Sequence, residues 1–591
     1  MTQLRSVRHL RLLALAALLA CATGPHAPAP KAAQALEPVR IRVLAINDFH
    51  GQISKGRRID GRPVGSAGVL AAWLRAAEAG MEDRTLIVHG GDLVGASPPT
   101  SALLQDEPTV TFFGQLGNRW CQAPAQAGLG STSSMSSALQ GPEERFAAWL
   151  DPRCNLAGTT GNHEFDHGWR QLLRLLGGGN HENGPFLESP WRGARYPTLA
   201  ANVVDARTGQ PILPRYVVKE VGGVRIGVVG LVLREAPAMV IPTGVEGLAF
   251  LDEAQAANAC AEELKQQGVH AIVVLVHQGG VQEGYAGPTR TDGDAPAGRI
   301  AGIVRRLDGA VGLVVSAHTH QFTNALLPNA AGRLVLVTQA YSAGAAFAQI
   351  DLELSRASGE ISRGSAEIRT AWADEGPGRT PDPQAGALEA AAEEKVAPMV
   401  KRVVGTAAVA LSNQPDAAGE TALGDLIADS YRAAIPGAVA AFTNPGGIRT
   451  DLGAGPITWG ALFAIQPFGN TVVGVTLTGA QLRGVLEQQW RGQATQRMLQ
   501  LSGIRYVWSE SARVGQKVKE VWVGAQPLDP AGRYLVAVNS FLAAGGDRFT
   551  ALSEVADQVG GPLDMDAMVS HLQALAEPIR PPPGDRIRLV P

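Results

Sequence analysis

Five short clusters of His, Asp and Asn residues are the part of the sequence that could carry out chemistry. They are residues 47–50 (NDFH), 89–92 (HGGD), 161–163 (GNH), the single His277 and residues 317–320 (AHTH). Each cluster comes directly after a short run rich in Val, Ile, Leu and Ala, which is typical of a buried β-strand. A lone His or Asp after a strand is usually a turn or capping residue. Five successive clusters without a cysteine among them indicate a common site instead.

The strands that precede these clusters belong to a longer α/β pattern. The predicted strands are residues 41–46, 85–88, 156–160, 224–231, 271–276 and 311–316, and longer amphipathic segments separate them. Open α/β sheets bind ligands in the crevice outside the carboxyl ends of their strands. We therefore expect the five clusters to converge at one edge of the fold.

The side chains in the clusters are imidazoles, carboxylates and an amide, which together could bind two divalent cations. Such cations lie about 3.5–4 Å apart, share one bridging carboxylate and ready a water for in-line attack on phosphorus. Nitrogen and oxygen ligands suit Zn, Mn, Co or Fe equally well, so the sequence leaves the metal open. The predicted chemistry is metal-dependent hydrolysis of a phosphoester.

One tetrapeptide of this set, Gly-Asn-His-Glu, occurs twice, at residues 161–164 and at residues 179–182. The first copy follows a predicted strand and has Asp166 three residues after its His, where a carboxylate in a helical turn can reach the imidazole ring. The second copy follows a predicted helix at residues 169–176 and a run of glycines. Only the first copy is expected in the site. The second is interpreted as a polar loop, with an accessory role facing the substrate as the alternative.

The ordered motifs Asp-x-His, Gly-Asp, Gly-Asn-His-Glu, His and His-x-His resemble those of the calcineurin-like metallophosphoesterases. With its second α/β half, nearly all of the mature chain resembles the bacterial 5′-nucleotidase family. The resemblance implies an α/β fold in which a four-layer α/β/β/α metallophosphoesterase domain is joined by a linker helix to a second α/β domain, the nucleotidase C-terminal domain.

The resemblance also implies a role for each residue of the clusters. The first cation would be held by Asp48, His50 and His320, and the second by Asn162, His277 and His318, with Asp92 bridging both. His163 would be the unliganded catalytic residue that stabilises charge on the phosphoryl oxygens or on the leaving group, and Asp166 would orient its ring. His89 and His167 lie close to the motifs but match no role in the family, so we expect them beside the site or facing solvent.

The C-terminal half contains three segments that resemble the substrate-binding motifs of the family, residues 443–449, 466–470 and 539–547. The residues expected to bind substrate are Asn444, Gly446, Gly447, Arg449, Phe468, Asn470, Phe541 and Asp547. Phe468 and Phe541 would clamp the base, since base stacking on aromatic rings tolerates different bases; the alternative is that both rings are core residues. Asp547 would accept ribose hydroxyls, the two asparagines would contact base or sugar, and Arg449 would bind phosphate or a terminal carboxylate. Residues 420–425 lack the arginines that some relatives carry there, which predicts a weaker grip on phosphate by this domain.

The chain of 591 residues is too long for a single core, and its composition changes at several points. Residues 1–20 are predicted to be a signal peptide, 21–38 a lipidated Cys21 with an Ala/Pro-rich tether, 39–370 the metallophosphoesterase domain, 371–404 a linker with a long helix at 387–404, and 405–591 the substrate-binding domain. Residues 18–21 (LLAC) resemble a lipobox, and an ordinary secretory signal cut near Ala20 or Ala22 is the alternative. An exported protein, periplasmic or at the cell surface and anchored by lipid, is expected.

Three cysteines follow Cys21, and their use agrees with an exported protein. Cys121 and Cys154 bracket a polar stretch, residues 122–153, that is interpreted as an inserted loop. A disulfide at the base of this loop is expected in an oxidising compartment, with two free thiols as the alternative. Cys260 is expected in the core.

The composition limits the partners and leaves a short set of functions. A charged content of 18% and a net charge of −3 offer no basic surface for a nucleic-acid polymer, so a small nucleotide is the expected partner. The favoured function is removal of the 5′-phosphate from nucleotides. The alternatives are the same metal centre acting on 2′,3′-cyclic nucleotides, UDP-sugars or dinucleotide pyrophosphates, and a nucleotide-binding lipoprotein without turnover.

Overall fold

The computed structural model describes residues 37–122, 151–283, 287–290, 295–493, 495–555, 558–576 and 578–591. The predicted signal peptide and almost all of the lipidated tether lie outside these residues, and so does most of the predicted insertion between Cys121 and Cys154. In the described part of the chain, no helix combines the length and the apolar character that a membrane span needs.

Two six-stranded sheets form the centre of the N-terminal half. The first contains, in spatial order, Ile361–Thr370, Ala346–Leu354, Val39–Ile46, Thr85–His89, Leu156–Thr159 and Thr198–Leu199. The second contains Phe322–Pro328, Leu334–Ala340, Val311–Ser316, Ala271–His277, Val224–Val232 and Tyr216–Val221. Within each sheet, the strands that lead into the polar clusters run parallel to one another, so their carboxyl ends lie at the same edge.

The alternating side chains of the strand Val39–Ile46 show how the layers pack. Val43 belongs to a core between the two sheets, whereas Leu44 faces a core that includes the helices Ala67–Glu78, Glu107–Leu116 and Trp169–Gly177. The helices Glu253–Gln266 and Arg299–Val304 cover the outer face of the second sheet. The predicted α/β/β/α layering is thus confirmed, and the six predicted strands are present with ends within about two residues of those expected.

The helix between the two halves is Pro383–Val400, not residues 387–404 as predicted. It begins earlier because Asp382 caps it, accepting a hydrogen bond from the Ala385 N–H, and because Pro383 suits the first helical turn. It ends earlier because residues Val403–Ala407 form a strand that pairs with Gly455–Thr458. An Ala-rich sequence is helix-forming throughout, so only the cap and the strand pairing decide where the helix lies.

The C-terminal half is a second α/β unit. Its five-stranded sheet contains Gln500–Ser502, Ala440–Thr443, Arg533–Asn539, Thr471–Thr478 and Gln558–Leu563, and a four-stranded sheet contains Gln526–Pro527, Val518–Val523, Ile504–Ser509 and Ile587–Val590. The helices of this half are Ala422–Ala434, Trp459–Ile465, Gly479–Glu487, Ser540–Ala543, Thr550–Ser553 and Asp564–Ala574. This second domain provides the loops that face the polar clusters of the first.

The cysteines are placed as the sequence predicted. Cys121 and Cys154 form a disulfide, which closes the base of the predicted insertion. Cys260 lies buried in the helix Glu253–Gln266, and burial raises the pKa of its thiol to about 12. Its sulfur is therefore an inert part of the core.

Candidate active site

The five polar clusters meet where the parallel strands of the two sheets end. Their side chains form two groups in which the ligand atoms lie within 4.8 Å of one another, and the groups consist of Asp48, His50, Asp92 and His320, and of Asp92, His277 and His318. The carboxylate of Asp92 belongs to both groups. Its Oδ2 lies 3.0 Å from His277 Nε2 and 3.8 Å from His50 Nε2. The structure therefore brings together the side chains that the sequence places up to 272 positions apart, from Asp48 to His320.

Several atoms in these groups are arranged as ligands that face a cation. The Oδ1 of Asn162 is buried without a hydrogen-bond partner among the described residues, and the buried Nε2 of His277 faces the Asp92 carboxylate. His50 Nε2 and His320 Nε2 face each other at 3.0 Å. Buried polar atoms are rarely left unpaired, and imidazole and carboxylate donors are those that divalent metals prefer. The residues present thus fit a divalent metal centre.

Backbone carbonyls fix the orientation of two of the imidazoles. His50 Nδ1 donates to the Gly95 carbonyl at 3.0 Å, and His277 Nδ1 donates to the Gly90 carbonyl at 2.9 Å. Donation from Nδ1 leaves Nε2 with its lone pair free for a metal, which is the usual arrangement around metal-binding histidines. Hydrogen bonding from outside the cluster therefore selects the ligand form of both rings.

The charge state of the cluster depends on burial and on its two carboxylates. Burial lowers the pKa of His318 and of His320 to about 3, so both rings stay neutral and able to ligate. Burial also acts against protonation of His277, but the negative charge of Asp92 outweighs it and raises the pKa of this ring to about 9. The cluster thus attracts positive charge, and a cation would satisfy it.

Five of the proposed ligands have a left-handed backbone, which is unusual for residues other than glycine. Their φ angles are 50° for Asp48, 49° for His50, 46° for Asp92, 76° for His318 and 54° for His320. Such conformations cost roughly 1–3 kcal/mol each and persist only where the surroundings hold them. Here the N–H of Asp48 donates to the Gly91 carbonyl at 3.1 Å, and that of His318 donates to the Asp48 carboxylate at 2.9 Å.

Glycine is required next to the shared carboxylate. A Cβ atom on Gly161 would lie 2.2 Å from Asp92 Oδ1, which no side chain could accommodate. The close approach of Gly161 brings the following residues into the site, since the backbone N–H of His163 donates to the same Asp92 oxygen at 2.8 Å. The glycine of the motif therefore positions both the bridging carboxylate and the residue proposed for catalysis.

His163 lies beside the ligand groups without belonging to either of them. Its Nδ1 donates to Asp166 Oδ2 at 2.7 Å, which leaves Nε2 directed elsewhere. Burial alone would lower the pKa of this ring, but the negative charges of Asp166 and Asp92 and the hydrogen bond from the ring outweigh it and raise the pKa. A ring of this kind carries a proton that it can share with an oxygen in the adjoining cavity.

Glu164 is a residue whose position the sequence reasoning did not assign. Its carboxylate is buried and accepts hydrogen bonds from the backbone N–H groups of Gly161, Asp92 and Leu93. It therefore connects the two loops that carry Asp92 and His163. Glu164 is the fourth residue of the repeated tetrapeptide, but its residue type did not indicate this structural role.

The second tetrapeptide copy has none of these contacts. Asn180 bonds to the Trp191 N–H and to Ser189, and His181 contacts only Asn183 in the exposed loop that follows the helix Trp169–Gly177. His89, by contrast, is buried between Phe113 and Tyr196, and burial lowers its pKa to about 3. His89 is therefore a core residue, and the expectation that it lies beside the site or in solvent is wrong.

A cavity of about 290 Å³ joins the metal-ligand groups to the C-terminal half. On one side it is lined by Asp92, Asn162, His163, Asp166, His318 and His320. On the other side it is lined by all the residues expected to bind substrate, which are Asn444, Gly446, Gly447, Arg449, Phe468, Asn470, Phe541 and Asp547. Phe468 and Phe541 are half-buried, so both rings face the cavity rather than filling the core.

Side-chain hydrogen bonds hold the polar part of this second wall. Asn444 Nδ2 donates to Asp547 Oδ2 at 2.8 Å, and Asn539 Nδ2 donates to Asn444 Oδ1 at 3.0 Å. The ring of Phe468 stacks on that of His163, with centroids 5.7 Å apart and planes at 19°. One aromatic residue of the C-terminal half therefore touches the proposed catalytic residue directly.

Sequence reasoning missed Arg497 and the loop residues Met239, Val240 and Ile241, which also line the cavity. Arg497 forms an ion pair with Asp547 Oδ1 at 3.0 Å. No motif surrounds these residues, so nothing in the sequence pointed to them. Arg497 and Arg449 are thus two guanidiniums in the lining of this cavity.

Residues 41–322 match the family described as calcineurin-like phosphoesterase, and residues 403–554 match the family described as 5′-nucleotidase, C-terminal domain. The chain belongs to the 5′-nucleotidase family of metallophosphoesterases. Members of this family are metal-dependent phosphoester hydrolases, which agrees with the ligand groups found here. The family and the enzyme class expected from the motifs are thereby confirmed.

Individual relatives support the same assignment. The chain is 34% identical over 562 residues to a Bacillus subtilis protein named endonuclease YhcR, and the match covers 94% of this chain but 41% of that one. It is 32% identical to the Listeria monocytogenes cell wall protein Lmo0130, over 88% of this chain and 65% of that one. The chain thus spans less than two thirds of each of these relatives. The crystal structure of a 5′-nucleotidase precursor from Thermus thermophilus matches with a TM-score of 0.71 and 26% identity, over 93% of this chain and 99% of that one.

Proposed function

We propose that the protein removes the 5′-phosphate from nucleotides, giving a nucleoside and inorganic phosphate. The observation that supports this most is the cavity in which two metal-ligand groups sharing Asp92 face a wall of aromatic, amide and carboxylate side chains. Its volume of about 290 Å³ lies near the lower end of small-molecule sites, which span about 300–1,000 Å³. A mononucleotide suits this space better than a polymer.

In this proposal, Asp48, His50 and His320 would hold one divalent cation and Asn162, His277 and His318 the other, and Asp92 belongs to both ligand groups. When bound, the cations act as Lewis acids toward phosphoryl oxygens and ready a water for attack. Zn, Mn, Co and Fe all suit the nitrogen and oxygen donors.

The protein's own side chains then position the ester and stabilise the charge that develops. His163 presents its Nε2–H to a phosphoryl oxygen or to the departing 5′-oxygen, and Asp166 holds the ring in that orientation. The bond from phosphorus to the 5′-oxygen breaks as the bond to the water oxygen forms. The water gives up one proton and the 5′-oxygen gains one, so that the nucleoside and inorganic phosphate are released. Phe468 and Phe541 stack on the base, and the Asp547 carboxylate accepts hydrogen bonds from the ribose hydroxyls.

The same centre could act on related esters. The Bacillus subtilis relative is called an endonuclease, although this chain matches less than half of that protein. Hydrolysis of 2′,3′-cyclic nucleotides, UDP-sugars or dinucleotide pyrophosphates needs the same metal ligands and different contacts in the cavity. Loss of turnover in a nucleotide-binding protein would need a defect in the ligands or in the pair His163 and Asp166, and the geometry of that pair is intact.

A substrate panel with controlled metal content tests the proposal. Protein stripped of metal is supplied with Zn, Mn, Co or Fe in turn and given AMP, UDP-glucose or a 2′,3′-cyclic nucleotide, and the products are separated by chromatography. We expect no turnover without added metal and the highest kcat/KM with AMP. A clear preference for UDP-glucose or the cyclic nucleotide would replace the proposed substrate, and activity without any metal would reject the mechanism.

We further propose that the chain is exported and anchored by lipid at Cys21. The support is sequence only, namely the arginines and apolar run before the Leu-Leu-Ala-Cys segment. Fractionation of cells that express the full chain or its Cys21→Ala variant tests this. Membrane association of the full chain that Cys21→Ala abolishes is the expected result, and equal fractionation of both would exclude the anchor.

A further inference from the structure

A second and larger cavity, of about 1120 Å³, lies next to the metal-ligand groups. It shares His320 and Arg449 with the smaller cavity, and His50 also lines it. Its remaining walls come from the loops of residues 52–57, 96–100 and 342–343, from the helix Pro383–Val400 and from the C-terminal half. The two cavities therefore meet at side chains that border the first proposed cation site.

The second cavity carries an excess of positive charge. Lys55, Arg57, Lys401 and Arg449 line it, against the two carboxylates of Glu393 and Glu394. Both of these glutamates are exposed side chains on the helix Pro383–Val400. No other carboxylate among the described residues lines the cavity, although that of Asp48, in the adjoining ligand group, lies 3.6 Å from His320 Nε2.

Arg57 and Arg449 are both half-buried, which is costly for charges that have no carboxylate partner. Among the described residues, neither guanidinium has a carboxylate within ion-pair distance. Burial lowers the pKa of both groups, and the positive charge of Arg57 lowers that of Arg449 further. Arg57 is supported by the hydroxyl of Tyr341, and Arg449 by the more distant charges of Asp92, Asp166 and Asp48.

The loop that carries Arg57 is fixed in place on both sides. The Lys55 N–H donates to the Glu389 carboxylate at 3.0 Å, and the Ser54 hydroxyl lies 2.7 Å from that of Thr100. The Arg57 carbonyl accepts from the Val64 N–H at 3.0 Å. A guanidinium on a fixed loop loses little conformational entropy when it binds an anion, and its planar fork matches phosphoryl oxygens.

We infer that Arg57 and Arg449 form an anion subsite in the second cavity, which binds a phosphoryl group other than the one held at the metal ligands. This inference rests on the proposed phosphoester hydrolysis, because the phosphoryl group has to come from that reaction. Phosphate released beside His320 can enter the second cavity past Arg449 while the nucleoside still occupies the first. A further phosphoryl group on a longer substrate would find the same two guanidiniums.

Binding of inorganic phosphate to the metal-loaded full chain tests the subsite without requiring hydrolysis. Calorimetry compares the wild type with Arg57→Gln and with the matched control Arg58→Gln. The Arg58 guanidinium is exposed, and it donates to the Gly61 carbonyl. We expect Arg57→Gln to weaken phosphate binding roughly tenfold, because a charge-assisted hydrogen bond is lost, and Arg58→Gln to bind as the wild type does. Unchanged binding by Arg57→Gln would overturn the inference, whether or not AMP is hydrolysed.

A second pair of variants covers the case in which Arg57→Gln lowers the melting temperature. Arg57→Lys keeps the positive charge but loses the planar pair of guanidinium N–H donors. Phosphate binding should therefore weaken about threefold relative to Arg58→Lys. Equal binding by these two variants would also overturn the inference.

Kinetics distinguish the two sources of the phosphoryl group. If the subsite receives the product, Arg57→Gln raises the inhibition constant of phosphate against AMP and leaves the ratio of KM values for ADP and AMP unchanged. If it receives a further phosphoryl group of the substrate, the KM for ADP rises more than the KM for AMP. No change in either quantity would reject the subsite.

Discussion

The two walls of the smaller cavity are held by different means. On the N-terminal wall, five of the seven proposed metal ligands have left-handed backbone, and main-chain hydrogen bonds help to fix it, such as that from the Asp48 N–H to the Gly91 carbonyl. On the C-terminal wall, side chains bond to side chains, as in the contacts of Asn444 with Asp547 and Asn539. The N-terminal wall is therefore held mainly by backbone conformation and backbone hydrogen bonds, and the C-terminal wall by hydrogen bonds between side chains.

This difference separates reaction chemistry from substrate choice. Strained backbone persists only where many contacts hold it, so substitutions on the N-terminal wall should affect metal binding and turnover. Side-chain networks can be altered one contact at a time, so substitutions on the C-terminal wall should affect KM and leave the metal content alone. Variants on each wall test that separation, beginning with the largest expected effect.

Asp92→Asn should cause the greatest loss, because one carboxylate belongs to both ligand groups. The amide carries no negative charge to hold two cations, and several kcal/mol of charge stabilisation correspond to a loss of about 10³-fold in turnover. Elemental analysis and phosphate release from AMP measure the two effects. The matched control is Asp60→Asn, which places the same change on an exposed residue with a similar φ of 49°. Asp92→Asn with normal turnover would break the comparison.

His163→Ala should lower kcat by roughly 10²–10³-fold, because a group that shares a proton in the transition state is lost. Its metal content should stay that of the wild type, since His163 belongs to neither ligand group. The second Gly-Asn-His-Glu copy supplies the control, because the half-buried His181 has Asn183 as its hydrogen-bond partner among the described residues and lies outside the site. His181→Ala should leave kcat unchanged. Equal losses in both variants, or none in His163→Ala, would remove His163 from the mechanism.

The two walls also differ in how far the sequence could predict them. The N-terminal clusters were predictable because each follows a strand, and the carboxyl ends of parallel strands lie at one edge. Arg497 and Ile241 enter the cavity from segments with no periodicity or motif, so only the three-dimensional structure reveals them. The linker helix was placed four residues too late, since its Ala-rich sequence does not reveal that Asp382 caps it.

His89 shows a different reason for an error. It ends the strand Thr85–His89 three residues before Asp92, a position that sequence alone associates with the site. The alternation of side chains along the strand instead directs its ring towards Phe113 and Tyr196 in the core. The position of a motif therefore predicts where a loop lies, but it does not predict where the side chain of the last strand residue points.

Glu164→Gln should weaken metal binding by roughly 10–100-fold, the usual cost of losing a group that orients a ligand. Its carboxylate accepts from three backbone N–H groups, and a glutamine amide can keep only part of that set. Competition with a chelator measures the affinity. Glu182→Gln in the second copy is the control, since Glu182 lies in the exposed loop. Similar metal affinities in the two variants would show that the backbone holds Asp92 without help from Glu164.

Phe541→Leu should give the smallest of these effects, a rise in the KM for AMP of roughly tenfold, because stacking on one ring contributes about 1–3 kcal/mol. Its kcat and metal content should not change, since no contact joins Phe541 to the ligand groups in the described residues. Phe468→Leu is the informative comparison, because the Phe468 ring stacks on His163 as well as facing the cavity. It should raise KM and also lower kcat about threefold, through looser positioning of the His163 ring. If both variants changed KM alone, the stack on His163 would have no part in the reaction, and the two walls would act independently even where they touch.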